Sequence, residues 1–263
     1  MVRADYAARG WARLPFDAEL AAWAEAARPA ARAALADPAL RARWLDCEGT
    51  WFVGVDALAN DAEGRVAGGP ALPEGLRAAV AALEGPLPPL HRAQLSTVFP
   101  GYPKPRAGES AAALRYRATR DAAHVDGLLP EGPARRRHLR EPHRWILGLP
   151  LSEADAEAAP LVVWEGSHAI MRAAFAEAFA GIAPEAWGDV DVTEAYHAAR
   201  RRAFETCRRV PLPARPGEAV LVHRRALHGV APWGAGAAAA PEGRCIAYFR
   251  PLCAEPGGWL AAP

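Results

Sequence analysis

The chain has 263 residues, 51% of them hydrophobic, and a formal net charge of +1. The hydrophobic content is ample for a core and excludes a wholly disordered chain. The near-neutral charge gives no support for a nucleic-acid partner or for binding to a charged membrane surface. Lys104 is the only lysine, and this bias towards arginine, together with abundant alanine, indicates a GC-rich bacterial genome.

The four cysteines form no Cys-x-x-Cys pair and no zinc-like cluster, so we interpret them as reduced thiols. The first residues lack the apolar stretch of a secretory signal. No apolar run approaches the roughly 20 residues that span a bilayer. We therefore expect a soluble, cytoplasmic protein.

The N-terminal third reads as helical and extended segments. Residues 17–45 are rich in alanine, and Pro29 and Pro38 are expected to divide them into two or three short helices. An apolar strand is predicted at 51–55 and a further helix at 73–83.

From Gln94 onwards, short runs rich in β-branched and aromatic residues alternate with turns. Strands are predicted at 94–99, 112–118, 143–151, 160–164, 218–223 and 244–250, with helices at 169–182 and 193–210. This spacing favours a barrel or jelly roll over βαβ units. We expect one mainly β domain over residues 1–263 with flanking helices. Residues 1–90 form its N-terminal elaboration, and residues 91–253 form the core, with a helical insertion at about 169–210.

His124 and Asp126 are the first candidate site residues. They follow the alternating run 113–118, and side chains two residues apart on a strand leave the same face. An imidazole and a carboxylate would then project into one space. The facial arrangement of two histidines and one carboxylate that binds non-haem Fe(II) needs one more histidine from a distant strand.

Two later histidines compete for that third position. His223 ends an apolar strand, whereas His228 precedes a glycine that lets the backbone turn sharply beside a bound ion. On the last predicted strand, Arg244 and Arg250 share one face. An inward arginine needs a partner, which a dicarboxylate cosubstrate would supply through a bidentate pair.

These residues resemble the phytanoyl-CoA dioxygenase-like branch of the Fe(II)/2-oxoglutarate oxygenases over about residues 94–251. The resemblance rests on the chain order of His124-x-Asp126, Trp164–His168, Gly217–His223, His228-Gly229 and Arg244. It implies a double-stranded β-helix, a cupin-like jelly roll. It also implies that His124, Asp126 and His228 ligate iron as the catalytic centre and that Arg244 holds the distal carboxylate of 2-oxoglutarate.

The chain departs from the family at three points. Glu165 stands where the family usually has proline, the segment between Ser167 and Pro216 is long, and the gap from His228 to Arg244 is longer than usual. The long gap leaves Arg250 as a rival clamp.

The expected activity is a dioxygenase that uses Fe(II), 2-oxoglutarate and O2, with ascorbate as a candidate reductant. It would hydroxylate a small molecule and release succinate and CO2. Two alternatives remain open, a cupin-like metalloenzyme that does not use 2-oxoglutarate and a non-catalytic jelly-roll binding protein. The cluster Arg135–Arg140 is either a solvated loop or a clamp for an acidic substrate. His168 is expected to be structural and to bond to backbone.

Overall fold

The computed structural model describes residues 2–260, and antiparallel strands form its centre. The strands are β1 Trp11–Leu14, β2 Leu45–Asp46, β3 Trp51–Leu58, β4 Ala93–Val98, β5 Leu128–Glu131, β6 Arg136–Leu139, β7 Trp145–Pro150, β8 Leu161–Trp164, β9 Arg209–Leu212, β10 Ala219–His223, β11 His228–Val230 and β12 Arg244–Phe249. The helices are α1 Val2–Arg9, α2 Ala18–Ala36, α3 Pro38–Trp44, α4 Glu74–Glu84, α5 Ala111–Thr119, α6 Ser167–Ala178 and α7 Thr193–Thr206.

The strands form two sheets that face each other. The large sheet has the order β1-β10-β7-β12-β4-β3-β2, and the small sheet has the order β11-β8-β9, while β5 and β6 form a separate hairpin. Apolar residues of β7, β10 and β12 pack against Leu161 and Val163 of β8 and Leu212 of β9. This packing of two antiparallel sheets, with helices outside, confirms the expected jelly roll of the double-stranded β-helix type.

Helices cover the outer faces of both sheets. Leu147 and Leu149 of the large sheet pack against Leu20 and Trp23 of α2. On the other side, Trp164 of the small sheet packs with residues of α6 and α7. All six residues of β7 are buried because this strand is covered on both faces. This coverage on both faces explains why residues 145–150 form a continuous apolar run in the sequence.

The strand predicted at 112–118 is wrong, because these residues belong to helix α5. Ser110 caps the helix by accepting a hydrogen bond from the backbone N–H of Ala113 at 3.2 Å. Alanine fills the first turn and favours a helix over a strand. The alternation of polar and apolar residues was too short to distinguish the two, and the helix is largely exposed.

Two other boundaries differ from expectation. Helix α2 continues through Pro29, and its buried stripe against the large sheet outweighs the lost backbone hydrogen bond. Pro38 does begin a new helix, α3, with Asp37 as its N-cap. The helix predicted at 193–210 ends at Thr206, and the following residues form β9 at the edge of the small sheet.

The N-terminal ninety residues are part of the large sheet, since β1, β2 and β3 are three of its seven strands. Over residues 2–260, no helix has the length and apolar character needed to cross a membrane.

Candidate active site

Two histidines and one aspartate converge at the cavity between the sheets. One ligand atom from each of His124, Asp126 and His228 lies within 4.8 Å of the other two. Nε2 of His124 is 3.0 Å from Oδ1 of Asp126, and Nε2 of His228 is 3.7 Å from the same oxygen. Among residues 2–260, no other group of three or more His, Cys, Asp or Glu side chains has this spacing.

A short bridge, rather than a long strand, places the two histidines side by side. After α5 the chain turns at Asp121 and Ala122, which both have positive φ angles, of 54° and 53°. His124 then forms an isolated antiparallel bridge with His228, with N–O distances of 2.8 and 3.0 Å. The expectation that a preceding strand positions His124 and Asp126 is therefore wrong, although both side chains reach the same space.

Gly229 allows the two segments to approach closely. A Cβ at this position would lie 2.1 Å from the backbone oxygen of Asp121. The φ angle of Gly229 is not in the left-handed region, so the turn that we expected after His228 is not the reason for the glycine. The glycine is required because the N–H of Val230 donates to that same Asp121 oxygen at 2.8 Å.

Backbone carbonyls orient both imidazole rings. Nδ1 of His124 is 3.0 Å from the oxygen of Ala122, and Nδ1 of His228 is 2.9 Å from the oxygen of Ala226. A carbonyl oxygen can only accept, so Nδ1 carries a proton in each ring. Nε2 of each ring faces Asp126: in neutral His228 it carries the lone pair, and in His124 it donates a hydrogen bond to the carboxylate. This is the arrangement that metal-binding histidines need.

The charges at the site favour an ionised carboxylate beside a neutral imidazole. Burial alone would raise the pKa of Asp126, but the Arg250 guanidinium and the hydrogen bond from His124 hold that pKa well below its ordinary value. Burial lowers the pKa of His228 to about 4. Burial also opposes protonation of His124, but its hydrogen bond to Asp126 outweighs this and raises the pKa of His124.

Arg250 contacts the carboxylate oxygen of the aspartate that is not the one nearest to the histidines. Its Nη1 donates to Oδ2 of Asp126 at 3.2 Å, and both side chains are nearly buried, with 12% and 11% of their surfaces exposed. The two carboxylate oxygens of Asp126 thus face different partners. The sequence indicated that Arg250 faces inward, but it gave no sign of this contact.

The cavity beside these residues has a volume of about 230 Å³. Its lining includes Trp51, Ile146, Leu161, Tyr248 and Arg250 together with the three candidate ligands. A larger and more open depression of about 530 Å³ lies near Glu84 and Arg224, but it contains none of those three residues. The smaller cavity is therefore the candidate active site.

Arg244 is buried on the same face of β12 as Tyr248 and Arg250, with 6% of its surface exposed. It does not itself line the cavity. Its Nη1 and the hydroxyl of Tyr248 are buried without a hydrogen-bond partner. Burial raises the pKa of Tyr248, and both the charge of Arg244 and a contact of its guanidinium with the Tyr248 hydroxyl oppose that increase. A buried guanidinium nitrogen without a partner fits an anionic ligand, because the ligand would supply the missing acceptor.

His223 does not join the cluster. Its ring lies against those of Tyr6 and His168, and its Nδ1 accepts a hydrogen bond from the N–H of Arg225 at 3.2 Å. Of the two competing histidines, only His228 is close to His124 and Asp126. His168 is 2.9 Å from the backbone oxygen of Ala7, so its expected bond to backbone is confirmed.

The cluster Arg135–Arg140 lies on the hairpin of β5 and β6 and does not line the cavity. Arg136 pairs with Asp191 and Glu194, and Arg140 pairs with Glu131. These exposed ion pairs fit the solvated-loop interpretation better than the substrate clamp.

A second ion pair, which the sequence did not reveal, holds the loop before His124. The guanidinium of Arg209 in β9 donates to both oxygens of Asp121, at 2.7 and 2.8 Å. The Asp121 side chain is 3% exposed, whereas that of Arg209 is 44% exposed. The only feature of the sequence that pointed to this ion pair was the acidic residue Asp121, three positions before His124.

No protein-family model and no curated protein matches the chain. Among solved structures, AviO1 from Streptomyces viridochromogenes Tue57 is 17% identical with a TM-score of 0.48, and the match covers 100% of this chain and 96% of that one. SnoK, described as a non-heme alpha ketoglutarate dependent carbocyclase from nogalamycin biosynthesis, is 15% identical with a TM-score of 0.45, covering 94% and 82%. EctD from S. alaskensis, solved with 2-oxoglutarate and 5-hydroxyectoine, is 18% identical with a TM-score of 0.42, covering 94% and 73%. At such low identities, the function has to be argued from the residues of the site.

Proposed function

We propose that the protein is an Fe(II)/2-oxoglutarate-dependent dioxygenase that hydroxylates a small molecule. The observation that carries the proposal is the convergence of His124, Asp126 and His228 in the lining of a small, mostly apolar cavity. Two imidazoles and one carboxylate, with further coordination positions open, are the donor set of non-haem Fe(II) oxygenases.

The residues fit Fe(II) in both charge and orientation. The low pKa of Asp126 keeps its carboxylate ionised, and the low pKa of His228 keeps its imidazole neutral at physiological pH. Metal ligands must be deprotonated, so Asp126 and His228 are already in the required state, and a bound metal would replace the Nε2 proton that His124 donates to Asp126. The Nδ1 bonds to Ala122 and Ala226 hold the rings with Nε2 towards Asp126.

Arg244 is the residue that we assign to the distal carboxylate of 2-oxoglutarate, with Tyr248 as a second donor. Both have buried donors without partners on the strand face that points to the cavity. A bidentate carboxylate would satisfy the guanidinium, which otherwise stays desolvated at a cost. Arg250 lines the cavity and its Nε is also buried without a partner, but we assign it the weaker claim to this role because its Nη1 already donates to Asp126.

When bound, Fe(II) and 2-oxoglutarate supply the oxidising chemistry. Dioxygen and the cosubstrate give succinate and CO2, and the second oxygen atom enters a C–H bond of the substrate. The chain contributes binding, orientation and exclusion of water. Trp51, Ile146 and Leu161 provide an apolar wall beside the ligands. A cavity of about 230 Å³ accepts only a small substrate or part of a larger one.

The motif order supports placing the protein in the phytanoyl-CoA dioxygenase-like branch, and we include that branch in the proposal. The four cysteines are free thiols. This is consistent with the reducing cytoplasm of a bacterium, which we propose as its location.

Calorimetry tests the cosubstrate assignment directly. Under anaerobic conditions, 2-oxoglutarate should bind the Fe(II)-loaded wild type at one site per chain. Arg244→Ala should weaken this binding by at least about tenfold, because a charged hydrogen-bond pair is lost. Arg136→Ala, which removes an exposed arginine of the hairpin, is the matched control and should leave the affinity unchanged. Absence of 2-oxoglutarate binding by the loaded wild type would exclude the proposed activity in favour of a metalloprotein without this cosubstrate.

A further inference from the structure

We propose that Arg250 is a positioning residue that keeps one oxygen of Asp126 away from the metal. The aspartate then ligates through a single oxygen and leaves the remaining positions open. This inference rests on the proposed function for the identity of the metal centre. It concerns a different residue and a different role from the cosubstrate clamp assigned to Arg244.

The two oxygens of Asp126 are divided between two sets of partners. Oδ1 lies 3.0 Å from Nε2 of His124 and 3.7 Å from Nε2 of His228. Oδ2 lies 3.2 Å from Nη1 of Arg250. Oδ1 is therefore the oxygen that lies towards Nε2 of both imidazoles, and Oδ2 is the oxygen that lies towards Arg250.

The position of Arg250 is fixed by contacts of its own backbone. Its carbonyl oxygen lies 2.8 Å from Nε2 of His91 and 2.8 Å from Nδ1 of His143. The next carbonyl, that of Pro251, accepts from the N–H of Arg144 at 2.7 Å. These contacts fix the backbone just after β12, and they therefore restrict the positions that the Arg250 guanidinium can reach.

The number of oxygens through which Asp126 binds the metal determines how many coordination positions of the metal remain for other ligands. A carboxylate that binds through both oxygens occupies two positions, and one that binds through a single oxygen occupies one. The proposed reaction needs two positions for the cosubstrate and one for dioxygen, so a second aspartate oxygen would compete with them. Arg250 occupies Oδ2 with a hydrogen bond, and its positive charge repels a metal cation from that side.

Arg244 and Arg250 therefore have separable roles, although they share one strand face. Nη1 of Arg244 is buried without a partner, whereas Nη1 of Arg250 donates to Asp126 and only its Nε is without a partner. Loss of the Arg244 side chain should affect only ligands that carry a distal carboxylate. Loss of the Arg250 side chain should affect every ligand that chelates the metal.

Co(II) replaces Fe(II) as a spectroscopic probe in the first experiment, with no cosubstrate present. The Co(II) absorption spectrum reports the number and geometry of the ligands. We expect Arg250→Ala to bind Co(II) with a spectrum that differs from the wild type because Asp126 has gained a second bond. Arg250→Lys, which restores one donor and the charge, should return the spectrum towards the wild type. Arg136→Ala, which removes an arginine outside the cavity, is the control, and its Co(II) spectrum should match that of the wild type.

The second experiment compares 2-oxoglutarate with 2-oxobutyrate, which chelates a metal in the same way but lacks the distal carboxylate. Arg250→Ala should weaken both ligands by about tenfold or more, the size typical of lost contacts to a ligating residue. Arg244→Ala should weaken only 2-oxoglutarate. Thermal unfolding of each variant shows that the fold is retained, and Arg250→Lys carries the comparison if the alanine variant does not fold.

The results separate the alternatives. An unchanged Co(II) spectrum in Arg250→Ala overturns the proposal, as does a loss confined to 2-oxoglutarate, which would make Arg250 the clamp. Loss of all Co(II) binding by a folded Arg250→Ala also overturns it, since the residue would then build the site rather than restrict it. If the wild type binds no 2-oxoglutarate, the proposed function fails, but the Co(II) spectra still decide the role of Arg250.

Discussion

His124 and His228 hydrogen-bond to each other through their backbones in both directions, at 2.8 and 3.0 Å, although six strands and two helices lie between them in the chain. This pairing brings a histidine of the small sheet beside the loop that carries Asp126. The distance between the two imidazole rings, 4.7 Å between centroids, follows from the bridge. The candidate metal centre thus depends on backbone pairing as much as on its three side chains.

Removal of the carboxylate charge should abolish metal binding with little change in shape. Asp126→Asn keeps the size of the side chain but loses the charge that attracts a cation and holds His124. We expect the affinity for Fe(II) to fall by more than about a hundredfold, beyond the loss typical of an outer contact. His197→Ala, on the partly exposed face of α7, is the control and should bind as the wild type does. Wild-type affinity in Asp126→Asn, measured by competition with a chelator under anaerobic conditions, would remove Asp126 from the site.

Gly229→Ala should disturb the site through the backbone. The added methyl group would meet the backbone oxygen of Asp121, so the two segments must separate. We expect a loss of about 1–3 kcal/mol in the free energy of unfolding and weaker metal binding. In Gly258→Ala the added methyl group finds only ordinary contacts, and this variant should be close to the wild type in both measurements. Equal stability of the two variants in urea titrations would show that the close approach is not needed.

The buried neutral imidazole of His228 should make the metal-free protein sensitive to acid. Its pKa is about 4 in the folded protein, below the ordinary value near 6.5. Below the ordinary value the unfolded chain binds the proton and the folded protein does not, so stability falls as the pH decreases towards 4. In His228→Gln this contribution is absent. The difference in unfolding free energy between the variant and the wild type, measured with chelator present, should shrink or reverse between about pH 7 and about pH 5. A constant difference would contradict the neutral, buried state of His228.

The ion pair between Asp121 and Arg209 should support the loop before His124. Arg209→Ala leaves a buried carboxylate without its bidentate partner. Because Arg209 is partly exposed, we expect a loss of about 1–2 kcal/mol, less than for a fully buried pair. Adding Asp121→Asn removes the unpaired charge and should recover part of that loss. A double-mutant cycle in urea measures this coupling, and strictly additive effects would show that the pair contributes nothing.

Much of the fold could be predicted because its central strands are covered on both faces. The apolar runs at 145–150 and 219–223 left no alternative to buried strands, and both were predicted almost at their bounds. Helix α5 was missed because six alternating residues do not distinguish a short exposed helix from a strand. The continuity of α2 at Pro29 was missed because it depends on packing against the sheet, which is a tertiary effect.

The candidate ligands could be found from residue types and chain order, but their supports could not. The motif around His124 and the glycine after His228 led to side chains that do lie close together, although part of the reasoning was wrong. The contacts of Arg250 with Asp126 and of Arg209 with Asp121 depend on how a strand end meets a distant loop. Local sequence patterns cannot predict these contacts, because the two partners of each contact are far apart in the sequence.

Anaerobic reconstitution with Fe(II), followed by addition of 2-oxoglutarate and O2, tests the central claim most directly. We expect one iron atom per chain and slow formation of succinate from 2-oxoglutarate even without a substrate, both lost in Asp126→Asn. A protein that holds no stoichiometric iron, or that holds iron but forms no succinate, would contradict the account.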